Sequence, residues 1–190
     1  METPYDNVEI FKNNLSSFKD TSIDTDSGNV EYMTHSEIQV VNFDKVKENY
    51  IKDMKLKNTP CSIDALYINE INDYFFVEFK NGLMSNKKIF NVYNKIYDSL
   101  LIFNDILQTN ISFCREHVNF ILVYNGSKNP EDGTSETNED SRVKIAKYFT
   151  NKAGKHFVRY DMDKYQKIYF KNVFTYTEEE FANQFLSTIK

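Results

Sequence analysis

The chain has 190 residues, of which 41% are hydrophobic and 27% charged, and its formal net charge is -5. This composition indicates a globular protein with a sizeable core, and five glycines with three prolines leave little room for a loop-built fold. The acidic balance argues against a protein that coats nucleic acid by bulk electrostatics, although it permits a local basic groove.

Features of export and membrane insertion are absent from the sequence. No apolar run approaches the roughly 18 residues of a membrane span, and METPYDNVEIFKNN lacks the basic-then-apolar order of a signal peptide. Cys61 and Cys114 are isolated, so neither a disulfide framework nor a zinc site is indicated. We therefore expect a cytoplasmic protein without membrane association. The abundance of Asn, Lys, Ile, Tyr and Phe resembles proteins from AT-rich bacterial genomes.

The N-terminal part is predicted to be peripheral. Residues 1–30 combine a weakly helical stretch, VEIFKNNLSSF, with a polar segment, KDTSIDTDSGN, and are expected to form an arm or a peripheral helix. Residues 31–190 are predicted to form a single domain. Within it, 37–43 is a short strand or a helical lead-in, and Asp44 is expected to cap a helix over 45–57. The buried stripe of that helix would be Val46, Tyr50, Ile51 and Met54.

The central part carries the strongest patterns. CSIDALYI and YFFVEFK are predicted strands, and the five residues between them favour a hairpin. NKKIFNVYNKIYDSLLIFNDIL then has apolar residues at helical spacing, and HVNFILVYN is a continuous apolar run typical of a central strand.

Beyond this strand, the polar and acidic residues 126–142 are predicted to form an exposed loop. SRVKIAKYFTNKAG is predicted as an amphipathic helix, and HFVRY and KNVFTYT as edge or peripheral strands. Thr177 begins a capping-box pattern, T-E-E-E, before a final helix.

The hairpin brings ionisable residues together. A loop symmetric about Ile71 would pair Ile68 with Tyr74 and Asp64 with Glu78, so the two carboxylates would be cross-strand neighbours about 5 Å apart. Lys80 lies on the face of Glu78, because side chains alternate along a strand. Such groups are often solvated, but here the same face carries apolar residues, which favours a site.

Two neighbouring carboxylates in apolar strands require a compensating cation, a proton or solvent, and a divalent metal would supply the cation. Asp64 and Glu78, with the Phe79 carbonyl and waters, would form the oxygen-rich shell that Mg²⁺ or Mn²⁺ accepts. Lys80 could then orient the attacking water or neutralise a scissile phosphate. The chemistry implied is phosphodiester hydrolysis.

These residues resemble the PD-(D/E)XK superfamily of nucleases. Ser62-Ile63-Asp64 stands where the family has Pro-Asp, with Ile63 replacing the proline, and Glu78-Phe79-Lys80 stands where it has (D/E)-X-K. The order of helix, hairpin, long helix and apolar strand over residues 44–125 is also similar. The resemblance implies a restriction-endonuclease-like three-layer α/β/α sandwich with a mixed central sheet, and a metal-dependent nuclease acting on DNA. Because some members have lost catalysis, the alternative is an inactive module that binds a protein partner or nucleic acid.

Further candidates have weaker signals. Several members of the family carry an acidic residue on the helix before the hairpin, for which Glu48 is the candidate and Glu37 the rival. Lys87 and Lys88, in the first turn of the long helix, would contact a substrate phosphate, because cations are disfavoured there without an anion. Each of these charges could equally be a solvated surface group. Asn91 and Lys95, on the polar side of the same helix, are weaker candidates.

Overall fold

The computed structural model describes residues 4–25, 28–130 and 158–189. In chain order its strands are β1 (Leu15–Ser17), β2 (Ile23–Asp24), β3 (Glu31–Tyr32), β4 (Gln39–Asn42), β5 (Ala65–Ile68), β6 (Tyr74–Lys80), β7 (Val118–Tyr124) and β8 (Asn172–Thr177). Its α-helices include α1 (Glu9–Lys12), α2 (Phe18–Thr21), α3 (Phe43–Ile51), α4 (Asn86–Leu107) and α5 (Ile111–His117). A 3-10 turn spans Met162–Tyr165, and after β8 the chain is α-helical at Glu178–Glu180, π-helical at Phe181–Phe185 and 3-10 at Leu186–Thr188.

Six of the strands form one mixed sheet in the order β1-β4-β5-β6-β7-β8. The first four are joined antiparallel, and β6, β7 and β8 run parallel. Parallel neighbours need a crossover connection, and α4 with α5 supplies it between β6 and β7. The chain is therefore a mixed α/β protein.

The β5–β6 hairpin has the predicted register. Ile68 pairs with Tyr74 and Leu66 with Phe76. Asn69 fixes the turn, because its Oδ1 accepts hydrogen bonds from the backbone N–H groups of Ile71 and Asp73 at 3.2 and 2.8 Å.

The first strand of the hairpin is shorter than the predicted 61–68. Before Ala65 the backbone bonds to side chains of α4 instead of to the sheet: Cys61 N–H donates to Asp98 Oδ2 at 2.7 Å, and Ile63 N–H donates to Ser99 Oγ at 2.9 Å. Asp64 therefore lies immediately before the first residue of β5.

Helix α4 has the predicted bounds. Ser85 caps its first turn, and Gln108 ends it in the left-handed conformation with φ of 53°. Its buried residues recur at helical spacing and include Val92, Ile96, Ser99, Leu100 and Phe103.

The two faces of the sheet pack against different elements. On one face, Phe76 and Leu122 belong to a core cluster with the buried stripe of α4 and with Phe43 of α3. On the other face, Val77 and Phe79 join a second cluster, whose partners outside the sheet include Phe18, Phe181 and Phe185. Successive residues of β6 thus serve opposite faces, as the strand period requires.

The N-terminal segment is integrated into this fold. Within the part predicted as an arm or peripheral helix, β1 pairs with β4 in the main sheet. Phe11 and Phe18 are fully buried, one in each core cluster. Short polar stretches around these phenylalanines concealed them from an analysis of periodicity.

The helix before the hairpin differs from its prediction. It begins at Phe43 and is capped by Asn42, whose Oδ1 accepts from Lys45 N–H at 3.0 Å, so Asp44 is not the cap. It also ends at Ile51 instead of residue 57. Met54 lies outside it and is 48% exposed, which removes it from the predicted buried stripe.

The C-terminal predictions have mixed outcomes. Residues 131–157 lie outside the described residues, and with them most of the loop 126–142, the helix SRVKIAKYFTNKAG and the first two residues of HFVRY. At the start of that loop, Asn129 is buried and its Oδ1 accepts from Met84 N–H at 2.7 Å, so this end is anchored. Val158–Tyr160 form no strand, whereas KNVFTYT contains the edge strand β8 and the Thr177–Glu180 capping box is confirmed. None of the described helices has the length and apolar character to cross a membrane.

Candidate metal and phosphate site

The hairpin sets Asp64 beside the end of β6. Its backbone carbonyl accepts from Phe43 N–H at 3.1 Å, and its side-chain Oδ2 accepts from Phe79 N–H at 2.6 Å. The N–H and C=O of one strand residue point to the same edge, so the Phe79 carbonyl is also directed to this edge. Asp64 is therefore held between the start of α3 and the strand that carries Glu78.

Two lysines join the carboxylates into one charged cluster. Lys80 Nζ lies 2.6 Å from Glu78 Oε1. From α4, Lys95 Nζ lies 2.7 Å from the same oxygen and 2.9 Å from Asp64 Oδ1. The structure thus brings Asp64, Glu78 and Lys80 together as the sequence predicted, and adds Lys95 between the two carboxylates.

Glu78 is the most unusual member of the cluster because its side chain is 0% exposed. Burial raises the pKa of Glu78, and the charge of Asp64 raises it further, while Lys95 and Lys80 act in the opposite direction. Although both ammonium groups are close to Oε1, neither meets hydrogen-bond geometry, and Oε2 has no hydrogen-bond partner among the described residues. A buried carboxylate oxygen without a partner is costly, and it is an available ligand for a cation.

The pKa of Lys95 is shifted by the same carboxyl groups. Burial alone would lower the pKa of Lys95, but the charges of Glu78 and Asp64 and the hydrogen bond that its ammonium donates to Asp64 raise it above its usual value. The ammonium group of Lys95 therefore remains charged beside the two carboxyl groups.

An acidic residue of the helix before the hairpin also lies near the charged cluster. This residue is Asp44, and not Glu48 or Glu37. Asp44 accepts a short hydrogen bond from Ser62 Oγ. Burial raises the pKa of Asp44, and repulsion from Asp64 contributes to the shift. Glu48 is exposed, and Glu37 is exposed and pairs with Lys19 at 2.9 Å.

The cluster borders a cavity of about 710 Å³. One part of its lining is basic and comes from β6 and the start of α4: Lys80, Lys87 and Lys88, with Asn91 one turn further on. Another part is acidic and comprises Asp20, Asp24, Asp44 and Asp64. Lys87 and Lys88 therefore share one cavity with Asp64 and Lys80, whereas Glu78 and Glu48 are not part of its lining.

The first turn of α4 gives the cavity a second electropositive element. Ser85 caps this 22-residue helix, and its first turn contains no acidic residue. Lys87 and Lys88 are both exposed there. Backbone N–H groups and lysines at a helix N-terminus together favour an anion.

The donors around the cluster fit a hard divalent cation such as Mg²⁺ or Mn²⁺. The described residues contain no group of three or more His, Cys, Asp or Glu side chains that could hold a metal ion. What the described residues offer is the carboxylate pair, with the partnerless Glu78 Oε2 and the Phe79 carbonyl. Magnesium accepts such a set, because it is usually bound through one or two carboxylates, waters and substrate phosphates.

Lys95 is the residue whose role sequence reasoning missed. Its contact with Asp64 joins residues 31 positions apart, and no local pattern encodes that contact. The available signal was its spacing: Lys88, Asn91 and Lys95 are three and four residues apart, which places them on one side of α4.

The comparison with known proteins gave no match from which a family could be assigned. No protein-family model, curated protein or solved structure matches the chain.

Proposed function

We propose that the chain is a metal-dependent phosphodiesterase of the PD-(D/E)XK type that cleaves DNA. The observation that carries this proposal is the convergence of Asp64, Glu78 and Lys80 beside a cavity that Lys87 and Lys88 also line. Support also comes from the element order, in which α3, the β5–β6 hairpin, α4 and β7 follow one another. The choice of DNA rests on the resemblance of the motif.

In this proposal each residue has a distinct task. Asp64, Glu78 and the Phe79 carbonyl would hold Mg²⁺ or Mn²⁺. The bound ion would polarise a phosphate and lower the pKa of a coordinated water. Lys80, whose side chain is 17% exposed, orients the attacking water or neutralises the scissile phosphate. Lys87 and Lys88 bind a neighbouring phosphate at the start of α4.

Asp44 takes the place that the sequence had suggested for Glu48. Its side chain lines the same cavity as Asp64 and is half-exposed, so it can contact a water that enters from the solvent.

The free thiols of Cys61 and Cys114 suit a reducing cytoplasm.

A second candidate function has its own supporting observation. Lys95 compensates both carboxylates, so the cluster is electrically balanced without a metal. This arrangement favours a catalytically inactive module that uses the lysine-lined cavity to bind a nucleic acid or a protein partner.

A cleavage assay separates the two functions. The purified chain is incubated with linear double-stranded DNA, single-stranded DNA and RNA, each with Mg²⁺, Mn²⁺ or EDTA. We expect metal-dependent cleavage of DNA that Asp64→Asn abolishes. Glu48→Gln is the matched control, because this exposed acid lies on α3 outside the cavity lining, and it should retain activity. Binding of nucleic acid without cleavage in either metal would favour the inactive module.

A further inference from the structure

Lys95 lies where a cation is needed between the two carboxylates. Its Nζ is within 2.9 Å of Asp64 Oδ1 and 2.7 Å of Glu78 Oε1. All three side chains are at most 16% exposed, so solvent screens their interaction weakly. A divalent ion bound by the same oxygens would lie close to this ammonium, and the two positive charges would repel each other strongly.

We propose that Lys95 is an internal counter-ion of Asp64 and Glu78, and that a divalent metal binds only when the Lys95 ammonium leaves these carboxylates. The inference rests on the proposed function, because it concerns the metal position of that site. It explains how two acidic side chains remain close together in the metal-free protein. It also makes metal binding an exchange of one cation for another.

The structure provides a destination for the displaced ammonium. Lys88 and Asn91, which precede Lys95 on the same side of α4, line the cavity. Long side chains on a helix incline toward its N-terminus, and this direction leads from Lys95 toward the cavity. A withdrawn Lys95 would therefore enter polar surroundings, where a phosphate could become its new partner.

Calorimetric titration with Mn²⁺ tests the exchange. We compare the unmodified chain with Lys95→Met, which removes the ammonium but preserves most of the side-chain length. Lys171→Met is the matched control, because it removes one positive charge from a lysine that pairs with Asp73, next to the opposite end of β6. We expect Lys95→Met to bind Mn²⁺ at least about tenfold more tightly, and Lys171→Met to stay within about threefold of the unmodified chain.

The outcomes distinguish this inference from the proposed function. If the unmodified chain binds Mn²⁺ and Lys95→Met binds equally or more weakly, the counter-ion role is overturned while the metal site stands. If neither binds Mn²⁺ at millimolar concentration, the metal site and the counter-ion role both fail. Where Lys95→Met does not fold without metal, Lys95→Gln replaces it in the titration, and the same affinities decide.

Discussion

Along β6, the side chains that face α4 fall into an aromatic half and a charged half. The two halves are stabilised in different ways. In the aromatic half, the rings of Tyr74 and Phe76 lie 5.1 and 5.2 Å from that of Phe103 of α4. In the charged half, Glu78 pairs both with Lys80 of the strand and with Lys95 of the same helix. The neighbouring strand β7 is buried along its whole length beside both halves.

The two halves contribute differently to the stability of the fold. The aromatic half gains free energy from apolar burial and ring contacts. The charged half lacks this apolar contribution, and its charged groups also lose hydration on burial. Apolar side chains of similar volume would not have this desolvation cost. A strand that departs from its own apolar pattern at one end is a candidate functional site, and here that end, at Lys80, borders the cavity.

The largest effect is expected from Lys80→Ala on DNA cleavage. Loss of an ammonium that orients water or neutralises phosphate should reduce turnover by about 10²- to 10⁴-fold, as removal of a general acid or base does. Mn²⁺ affinity, measured by calorimetry, should not weaken, because Lys80 is not a ligand and its ammonium, 2.6 Å from Glu78 Oε1, would repel the ion. Full turnover by this variant would show that Lys80 takes no part in the cleavage reaction.

In the aromatic half, Phe103→Ala should act on stability alone. The ring is fully buried against Tyr74 and Phe76, so its loss leaves a cavity that costs about 3–5 kcal/mol of unfolding free energy. Leu101→Ala on the same helix is the control, because Leu101 is 71% exposed and should change stability by less than about 0.5 kcal/mol. Denaturant unfolding measures both. A similar loss in the two variants would refute the packing account.

Lys87→Ala combined with Lys88→Ala should weaken DNA binding uniformly across sequences. If each lysine contacts one phosphate, the slope of log affinity against log salt should fall by about 2. Lys171→Ala is the control, because this lysine pairs with Asp73 near the opposite end of β6. Fluorescence anisotropy in Ca²⁺ or EDTA gives the slopes. Equal slopes for the double variant and the control would remove the phosphate role.

The smallest effect concerns acid titration of Glu78. Because its pKa in the folded protein is raised above the ordinary 4.5, its ionisation opposes folding. The stability that the protonated form contributes is fully present below about 4.5 and is lost as the pH rises through the folded pKa. Acidification from neutral pH toward 4.5 should therefore stabilise the unmodified chain relative to Glu78→Gln. A shift in favour of Glu78→Gln would mean that the lysines dominate over burial.

Sequence patterns predicted the parts of the fold that depend on local signals. The bounds of α4 followed from apolar spacing, and the register of the hairpin followed from a turn centred on Ile71. The same register placed Asp64 close to Glu78. These signals act over a few residues, where periodicity and turn chemistry are decisive.

The remaining features depend on contacts between distant residues. Lys95 reaches Asp64 across the fold, and Asp44 interacts with Ser62 although it resembled a helix cap in the sequence. The burial of Phe18 depends on Phe79 and Phe181, which lie 6.4 and 5.5 Å from its ring. Side-chain partners of this kind are set by tertiary packing, which no single segment encodes.

Anomalous diffraction from crystals soaked in Mn²⁺ tests the central claim most directly. The account predicts an anomalous peak in contact with the carboxylates of both Asp64 and Glu78, with the Lys95 ammonium moved away from them. Crystals of Asp64→Asn, soaked in the same way, should lose this peak. If the unmodified protein shows no peak there, and Lys95 still bridges the two carboxylates, the cluster is a structural ion-pair network and the metal-dependent nuclease is contradicted.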